Sequence, residues 1–566
     1  MSSADTSTRP PLLPLSGVLR LNRPSDIWFK PATSVAVAFG LVLLPLLITG
    51  HGELAVYVMP GAFCALYGHQ LPYAARVRAG AWVVLGMTAS MAVALVCAAL
   101  VDSVVALIAI AALVAAVQKA VCDATRIGPP GHVIFVFVAS GTLFAPQELH
   151  QVPWHLTLTL AAGVVGGAVA LAPALVRRDG PERRATARAL SAAAGYLDAP
   201  DDASRHRTRH AAAAAVQGAW QALLASGRRT PTRHTLEHLV LRAEAALASA
   251  PDPAGAWRLR DRARQVRGYG PLPEVTLPVG AGDELLGLDV ERAGRGARGP
   301  ARVARLLLRP DSPLLPVAVR CAVGCALAGY AGLALGVGHP YWAVVSAAAI
   351  YQANITLTWH RVLQRLLGNL CGVALFAAVV PLARTGVVVL AVLCVFFSFC
   401  NEALITRNYW LGSVTVTPMA LLVTEFAADR RPVGELISDR VLDTLAGVTV
   451  GMLVAVLVTN RRVGGRLEQA LDAVESATET AARALAAAPQ APAASTAELT
   501  AARRGLTAAL VELRDSADTA AGEWWQRALP EERLLRAEQR AHRTLAATIR
   551  RQGLVRDVHP CEEQQA

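Results

Sequence analysis

Charged side chains that fall within long apolar stretches are the first candidates for chemistry in this chain. Arg320 lies about two turns into an apolar segment that begins near residue 313. A charged group inside a bilayer is costly to bury, so such a residue can indicate a site that attracts an anionic substrate. A long side chain can also reach back to the headgroups, which requires no substrate. Lys30 occupies a similar place before the first apolar stretch, and both interpretations stay open.

Two histidines and a short polar run add further candidates. His51 and His339 stand at the ends of short loops between apolar stretches. An imidazole titrates near neutral pH and could relay protons, but a plain loop position predicts no such role. Gln352, Asn354 and Thr356 are polar residues near the end of a later stretch. They could line a path, or they could hydrogen-bond neighbouring helices.

Motifs for other kinds of chemistry are weak. A Walker A loop needs a lysine that follows a glycine, and neither Lys30 nor Lys119, the only lysines, does so. His234, Glu237 and His238 match the HxxEH spacing of a zinc-binding helix, but arginines flank them and disfavour a cation. We expect a solvated helix face there. The sequence therefore predicts no catalytic residue, no metal site and no cofactor, and the protein is not expected to be an enzyme.

Two apolar blocks must position these groups. Hydrophobic residues make up 54% of the 566 residues and charged residues only 17%. Soluble domains carry about 25% charged residues, so this composition favours a polytopic, all-α membrane protein. The blocks cover 31–177 and 313–459. A polar tail, 1–30, precedes them, and polar stretches with helical patterns follow each block at 178–312 and 460–566.

Each block has room for six spans of about 20 apolar residues. The predicted spans of the first block are 31–50, 53–70, 80–101, 103–120, 131–147 and 154–176. Those of the second block are 314–337, 340–357, 363–382, 386–402, 408–425 and 441–459.

Basic residues predict the orientation of these spans. Loops on one side of the first block carry Arg76, Arg78, Lys119 and Arg126, whereas the loops on the other side carry no lysine or arginine. By the positive-inside rule, both termini and both polar regions are cytoplasmic. The net charge is +12, but the sequence contains no basic run interleaved with exposed aromatic residues. We therefore expect no nucleic-acid partner.

The two blocks resemble one another internally. Their last spans share an Ala-Gly-Val sequence, a following glycine and a closing pair of arginines at one constant offset. Both copies begin on the same side, which predicts parallel repeats related by an axis along the membrane normal, an arrangement that occurs in transporters. Small residues four apart let helices approach closely, and we assign the following glycines to packing: Gly163, Gly167, Gly368, Gly372, Gly447 and Gly451.

The polar stretches contain amphipathic helices. Leu467, Leu471 and Val474 fall on one helical face, and a similar leucine pattern recurs between 506 and 513. We expect these helices to pack on each other or on a partner chain.

The most distinctive motif opens the second block and carries a family resemblance. It reads His339-Pro340-Tyr341-Trp342-Ala343, followed by Gln352, Arg361, Arg365, Gly368 and Gly372. This pattern resembles the fusaric acid resistance-like (FUSC) family, which is related to the aromatic acid exporters. Asn369 stands where that family usually has a threonine, and the first block matches the pattern poorly.

The resemblance implies a secondary transporter of the bacterial inner membrane that exports small organic anions, including aromatic carboxylates, and is driven by the proton gradient. Its partners would be the lipid bilayer and an organic anion, and a homodimer is compatible with it. Related plant malate channels make a dimeric anion channel the alternative, and a non-transporting membrane scaffold is a third hypothesis. The candidate residues of a substrate or ion pathway are Arg320, His339, Trp342, Gln352, Asn354, Arg361, Arg365 and His51.

Overall fold

A computed structural model describes residues 15, 17–24, 26–226, 230–247, 249–274, 312, 314–426, 432–458, 462–487, 492–523 and 531–551. Every regular element within these ranges is a helix, which confirms the predicted all-α class. The helices of the first apolar block are α1 (Phe29–Ile48), α2 (Ala55–Ala62), α3 (Tyr73–Leu100), α4 (Val104–Thr125), α5 (Val133–Leu143), α6 (Val152–Leu171) and α7 (Pro173–Val176).

The second block follows the same plan. Its helices are α12 (Leu315–Ala334), α13 (Tyr341–Ile350), α14 (Ile355–Ala383), α15 (Val387–Ile405), α16 (Tyr409–Thr424) and α17 (Val433–Leu457). In both blocks a long helix is followed by a short one, two long ones, a short one and a final long one. This shared order agrees with the proposed duplication, which stays a prediction.

The apolar helical segments of the two blocks differ in length. Within the described residues, 8 helices are long and apolar enough to cross a membrane. Four apolar segments are shorter: Gly52–Leu66, Val133–Leu143, Tyr341–Ile350 and Tyr409–Thr424. At 1.5 Å per residue, the helices Val133–Leu143 and Tyr341–Ile350 cover only about half of a hydrocarbon core of about 30 Å, whereas Tyr409–Thr424 covers about 24 Å. Apolar runs predicted these segments, but hydropathy cannot show where a helix stops inside such a run.

The two blocks form one bundle, because their apolar faces share cores. One core joins Phe39 and Met87 of the first block to Phe376 and Phe397 of the second. Another core joins alanines of α4 to the α12 residue Cys325 and to α13. Burial of these side chains within one cluster makes separate movement of whole blocks costly.

The polar stretches also fold together. Their helices are α8 (Gly180–Leu197), α9 (Asp202–Ala225), α10 (Pro231–Ala246), α11 (Pro253–Arg267), α18 (Arg462–Ala487), α19 (Pro492–Ala521) and α20 (Glu531–Arg551). One apolar core contains Leu190, Trp220 and Leu239 from the first stretch together with Leu471 and Leu506 from the second. We call this unit the polar helical domain. Its helices pack on each other, which is one of the two arrangements expected from their amphipathic patterns.

The HxxEH segment is part of that core. Glu237 is 0% exposed and His238 is 2% exposed, so the expectation of a solvated helix face is wrong. The α10 helix lies between α8 and α9 and therefore buries most of its circumference.

Most of the predicted packing glycines do lie at close helix contacts. A methyl group at Gly447 would lie 2.6 Å from the Ala343 carbonyl oxygen, and one at Gly372 would lie 2.7 Å from Thr417 Cβ. Gly163, Gly368 and Gly451 are crowded in the same way. Gly167 differs, because nothing lies within 4 Å of a methyl group placed there. The neighbouring Gly166 makes the close approach to α2 instead.

Candidate functional site

Two facing helices of the second block each carry a row of polar side chains. Residues spaced by four lie on one face of a helix, and the close glycine contacts of α14 bring the two rows together. The rows are Arg361, Arg365 and Asn369 on α14, and Tyr409, Ser413 and Thr417 on α16.

Two arginines of the α14 row converge on one tyrosine. Arg365 Nη1 donates a hydrogen bond of 3.2 Å to the Tyr409 hydroxyl. The Arg361 guanidinium lies 3.8 Å from the centroid of the Tyr409 ring, a cation–π contact. Arg365 is 5% exposed, and its Nε has no hydrogen-bond partner. Positive charge is therefore concentrated beside this ring.

An amide network ties these rows to α17. Asn369 Nδ2 donates a hydrogen bond of 2.7 Å to Thr444 Oγ1. Thr417 Oγ1 donates one of 3.0 Å to Asn369 Oδ1. Three helices are thus fixed to one another by polar contacts, which specifies their register within the bilayer. Asn369, the residue that departs from the family pattern, is the centre of this network.

Arg440 and Asp443 of α17 are the most unusual charged groups of the site. Arg440 is 2% exposed, and its guanidinium lies 4.0 Å from the centroid of the Trp342 ring. Arg440 Nε and Nη1 have no hydrogen-bond partner, and neither has either carboxylate oxygen of Asp443, which is 0% exposed. Leaving buried charged groups without hydrogen bonds is costly, so these two residues are candidates for a functional site.

Sequence reasoning missed both residues. The predicted span began at residue 441, so Arg440 fell outside it, and Asp443 received no attention. The available signal was a group of four ionisable residues in the first half of an apolar helix: Glu435, Asp439, Arg440 and Asp443. Arg440 and Asp443 are three residues apart. Three apart is close to one helical turn, so both side chains emerge on one face.

These residues form a series along α13, α14, α16 and α17 of the second block. At one end, His339 Nδ1 lies 3.5 Å from Asp439 Oδ2, next to the start of α13. At the other end, Arg361 Nη2 donates a hydrogen bond of 3.2 Å to Gln352 Oε1. We call the series the polar line; its members are His339, Asp439, Arg440, Asp443, Trp342, Thr444, Asn369, Thr417, Arg365, Tyr409, Arg361 and Gln352.

The Gln352 end of the polar line coincides with a break between two helices. Residues 351–354 form a connector between α13 and α14, with extended backbone at Tyr351 and Asn354. Non-helical backbone at membrane depth is tolerated only where protein covers it or water reaches it. Such breaks occur at the binding sites of transporters.

The remaining predicted candidates lie elsewhere. Arg320 Nη2 donates a hydrogen bond of 2.7 Å to the Val458 carbonyl just beyond α17. A guanidinium at a helix C-terminus stabilises the exposed carbonyl groups, which is a structural role. His51 is exposed in the loop that follows α1. The structure thus brings together six of the eight predicted residues in the polar line and the connector. Arg320 lies beside the connector, one helical turn from the Gly324 contact with Tyr351, and His51 lies apart.

The charge of the polar line favours an anion. Its interior contains three guanidinium groups, from Arg361, Arg365 and Arg440, and one carboxyl group, from Asp443. In a medium of low polarity an excess of positive charge attracts an anion more strongly than it would in water. The guanidinium fork also matches carboxylate geometry.

A cleft with charged walls lies in the polar helical domain. A cleft of about 390 Å³ opens between α9, α19 and α20, and its lining includes His210, Arg514, Asp518 and Glu538. Arg514 lies 3.4 Å from Asp518 and 3.9 Å from Glu538, so charges of both signs already neutralise one another there. Within the described ranges, no group of three or more His, Cys, Asp or Glu side chains is arranged to hold a metal ion.

Fold and site together define a polytopic helical membrane protein with a line of polar and positively charged side chains in its second block. Residues 326–454, which contain every member of the polar line, match the family described as fusaric acid resistance protein-like. The resemblance that the His339–Gly372 motif predicted is therefore confirmed for this part of the chain.

Two curated relatives are membrane proteins. The chain is 24% identical over 533 residues to the uncharacterized membrane protein YvaC of Bacillus subtilis (strain 168), covering 88% of this chain and 81% of that protein. It is 30% identical over 146 residues to the inner membrane protein YccS of Escherichia coli (strain K12), covering 25% of this chain and 19% of that protein. No solved structure matches.

Proposed function

We propose that this protein is a secondary transporter that exports small organic anions, aromatic carboxylates among them, and uses the proton gradient to do so. The observation that carries the proposal is a set of guanidinium groups that contact aromatic side chains inside the second block: those of Arg365 and Arg440, which are buried, and that of Arg361, which is half-buried. Nothing in this proposal involves chemical conversion of the substrate, so the protein acts as a transporter and not as an enzyme.

The site suits an anion with a ring. The unpartnered N–H groups of Arg440 can donate to a carboxylate, and such a charge-assisted hydrogen bond is stronger than a neutral one. Trp342 lies below that guanidinium, and Tyr341, Phe137 and Phe144 pack nearby. Aromatic side chains of this kind favour offset or edge contacts with a substrate ring.

Asp443 is the group that we assign to proton coupling. It lies one helical turn from Arg440 and is fully buried. A proton on its carboxyl group removes a negative charge beside the anion site. Protonation of Asp443 and binding of the anion therefore favour one another, which makes anion flux depend on pH.

The proposed setting is the bacterial inner membrane, with the polar helical domain and both termini in the cytoplasm. The arginine-rich loops on one side of the first block support this orientation. The inner-membrane relative supports the compartment. The lipid bilayer and an organic anion are the proposed partners, and a homodimer is the proposed assembly.

Flux from proteoliposomes tests the proposal. Vesicles containing the purified protein are loaded with benzoate or malate, and efflux is followed with and without an imposed pH gradient. The exporter predicts efflux that depends on the gradient. Efflux that follows voltage and ignores pH would indicate an anion channel instead. No flux of either anion would count against transport and favour the scaffold hypothesis.

A further inference from the structure

The polar helical domain touches the membrane bundle at the connector between α13 and α14. The C-terminal end of α19 and the residues after it, Thr519–Glu523, form a turn that we call the latch turn. Asn354 Nδ2 donates a hydrogen bond of 3.3 Å to the Thr519 carbonyl. Thr356 donates twice to the Gly522 carbonyl, from its backbone N at 3.2 Å and from Oγ1 at 2.9 Å. The two parts of the protein are therefore joined by directional bonds at this point.

The contact is close enough to require glycine. A methyl group on Gly522 would overlap the side-chain amide of Asn354. That amide is itself fixed, because Asn354 Oδ1 accepts the Leu357 backbone N–H at 2.8 Å and caps the N-terminus of α14. Asn354 is 3% exposed. Moving it aside would cost the helix its cap, so the fit between the two surfaces is specific.

A charged pair borders the same contact. Arg320 and Glu523 interact electrostatically, and one carboxylate oxygen of Glu523 is buried without a hydrogen-bond partner. Burial raises the pKa of the Glu523 carboxyl group, and the charge of Arg320 opposes that rise. Arg320 also holds the Val458 carbonyl after α17. The latch turn therefore lies beside the ends of α12, α14 and α17.

The connector links this contact to the polar line. Gln352, two residues before Asn354, accepts a hydrogen bond from Arg361. The Gln352 backbone N–H also donates to Thr358 Oγ1 at 3.2 Å. A displacement of the connector would consequently change the position of the first arginine of the line. It would also uncover extended backbone that the latch turn now covers.

We propose that the latch turn is a gate: in the structure described here it closes the end of the polar line that faces the polar helical domain, and its withdrawal opens that end. The gating role rests on the proposed transport function, whereas the closed contact stands on geometry alone. The device couples any rearrangement of α19 to the connector through three hydrogen bonds and one close glycine contact.

Hydrogen–deuterium exchange of the full-length protein in nanodiscs tests the contact. Gly522→Ala should accelerate exchange several-fold in peptides that cover 351–358, because the Thr356 amide loses its acceptor. Thr356→Val, which keeps the side-chain shape and removes one donor, should give a smaller increase. Gly505→Ala is the matched control on the same helix, since nothing lies within 4 Å of a methyl group there. Unchanged exchange in Gly522→Ala, or an equal increase in Gly505→Ala, would overturn the proposal.

Benzoate efflux from proteoliposomes tests the gating role separately. We expect Gly522→Ala to release benzoate several-fold faster than the wild type and Gly505→Ala to match the wild type. Equal benzoate flux in the wild type and in Gly522→Ala, despite faster hydrogen–deuterium exchange at the connector, would refute the gate. Absence of flux from every variant, the wild type included, would refute the transport proposal, and the exchange result would still decide whether the latch contact exists.

Discussion

Replacement of Arg365 by methionine is the most direct test of the anion site. Methionine keeps the length of the buried side chain and removes the positive charge and the N–H groups. Arg365 is 5% exposed and donates to Tyr409 at 3.2 Å. A hydrogen bond to a charged partner contributes about 1.5–3 kcal/mol, which corresponds to a roughly 10- to 150-fold change in affinity. We expect Arg365→Met to weaken benzoate binding by a factor in this range.

Two further variants separate charge from geometry. Arg365→Lys keeps the positive charge but loses the planar fork, so its affinity should fall between those of the wild type and Arg365→Met. Arg407→Met is the matched control, because Arg407 is exposed and lies two residues before Tyr409. Removing this exposed charge should change benzoate affinity by no more than about two-fold, since solvent screens it.

Isothermal titration of the purified protein with benzoate gives the dissociation constants, and proteoliposome efflux gives the corresponding half-saturation concentrations. Circular dichroism confirms that each variant is folded. Equal benzoate affinity in the wild type and folded Arg365→Met would refute the assignment of Arg365 to the anion site. An equal loss in Arg407→Met would show that general surface charge, and not the buried site, determines binding.

The structure makes three further predictions. Asp443→Asn should abolish the dependence of flux on the pH gradient while benzoate exchange continues, and retained gradient dependence would exclude Asp443 as the proton site. Gly372→Ala should destabilise the bundle by about 1–3 kcal/mol in SDS-titration unfolding, whereas Gly167→Ala should not, because only the first methyl group meets a neighbouring helix. Burial raises the pKa of Glu182 in the polar helical domain, and Arg233 only partly offsets this. The stability that this group contributes is complete below its unfolded-state pKa and is lost as pH rises through the folded-state pKa. In the wild type, hydrogen-exchange protection of residues 236–241 should therefore decrease between acidic and neutral pH. Glu182→Gln should remove this decrease.

The candidate site was only partly predictable from the sequence. The motif from His339 to Gly372 identified Trp342, Arg361 and Arg365, because these residues lie in one short segment with a recognisable pattern. Arg440 and Asp443 come from the sixth helical segment of the same block, and nothing in their local sequence indicates which helix they face. Only the packing of α13 and α17 places Arg440 over the Trp342 ring.

The small residues show the same limit. The GxxxG spacing correctly indicated that α14 and α17 approach other helices closely, since such spacing places two small residues on one face. It could not show that Gly166, and not Gly167, makes the contact in α6. That choice depends on the rotation of α6 about its own axis, which is set by all the helices around it.

The sequence by itself determined the membrane class, the six apolar helical segments of each block and the polar stretches between and after them. Length, apolar content and the sequence positions of arginines are local properties, and the bilayer imposes its thickness on every local segment in the same way. The tertiary structure decided which segments form short helices, which polar side chains form one line, and where the latch turn meets the connector. Those features depend on contacts between residues far apart in the chain, such as Thr356 with Gly522, and no local pattern encodes them.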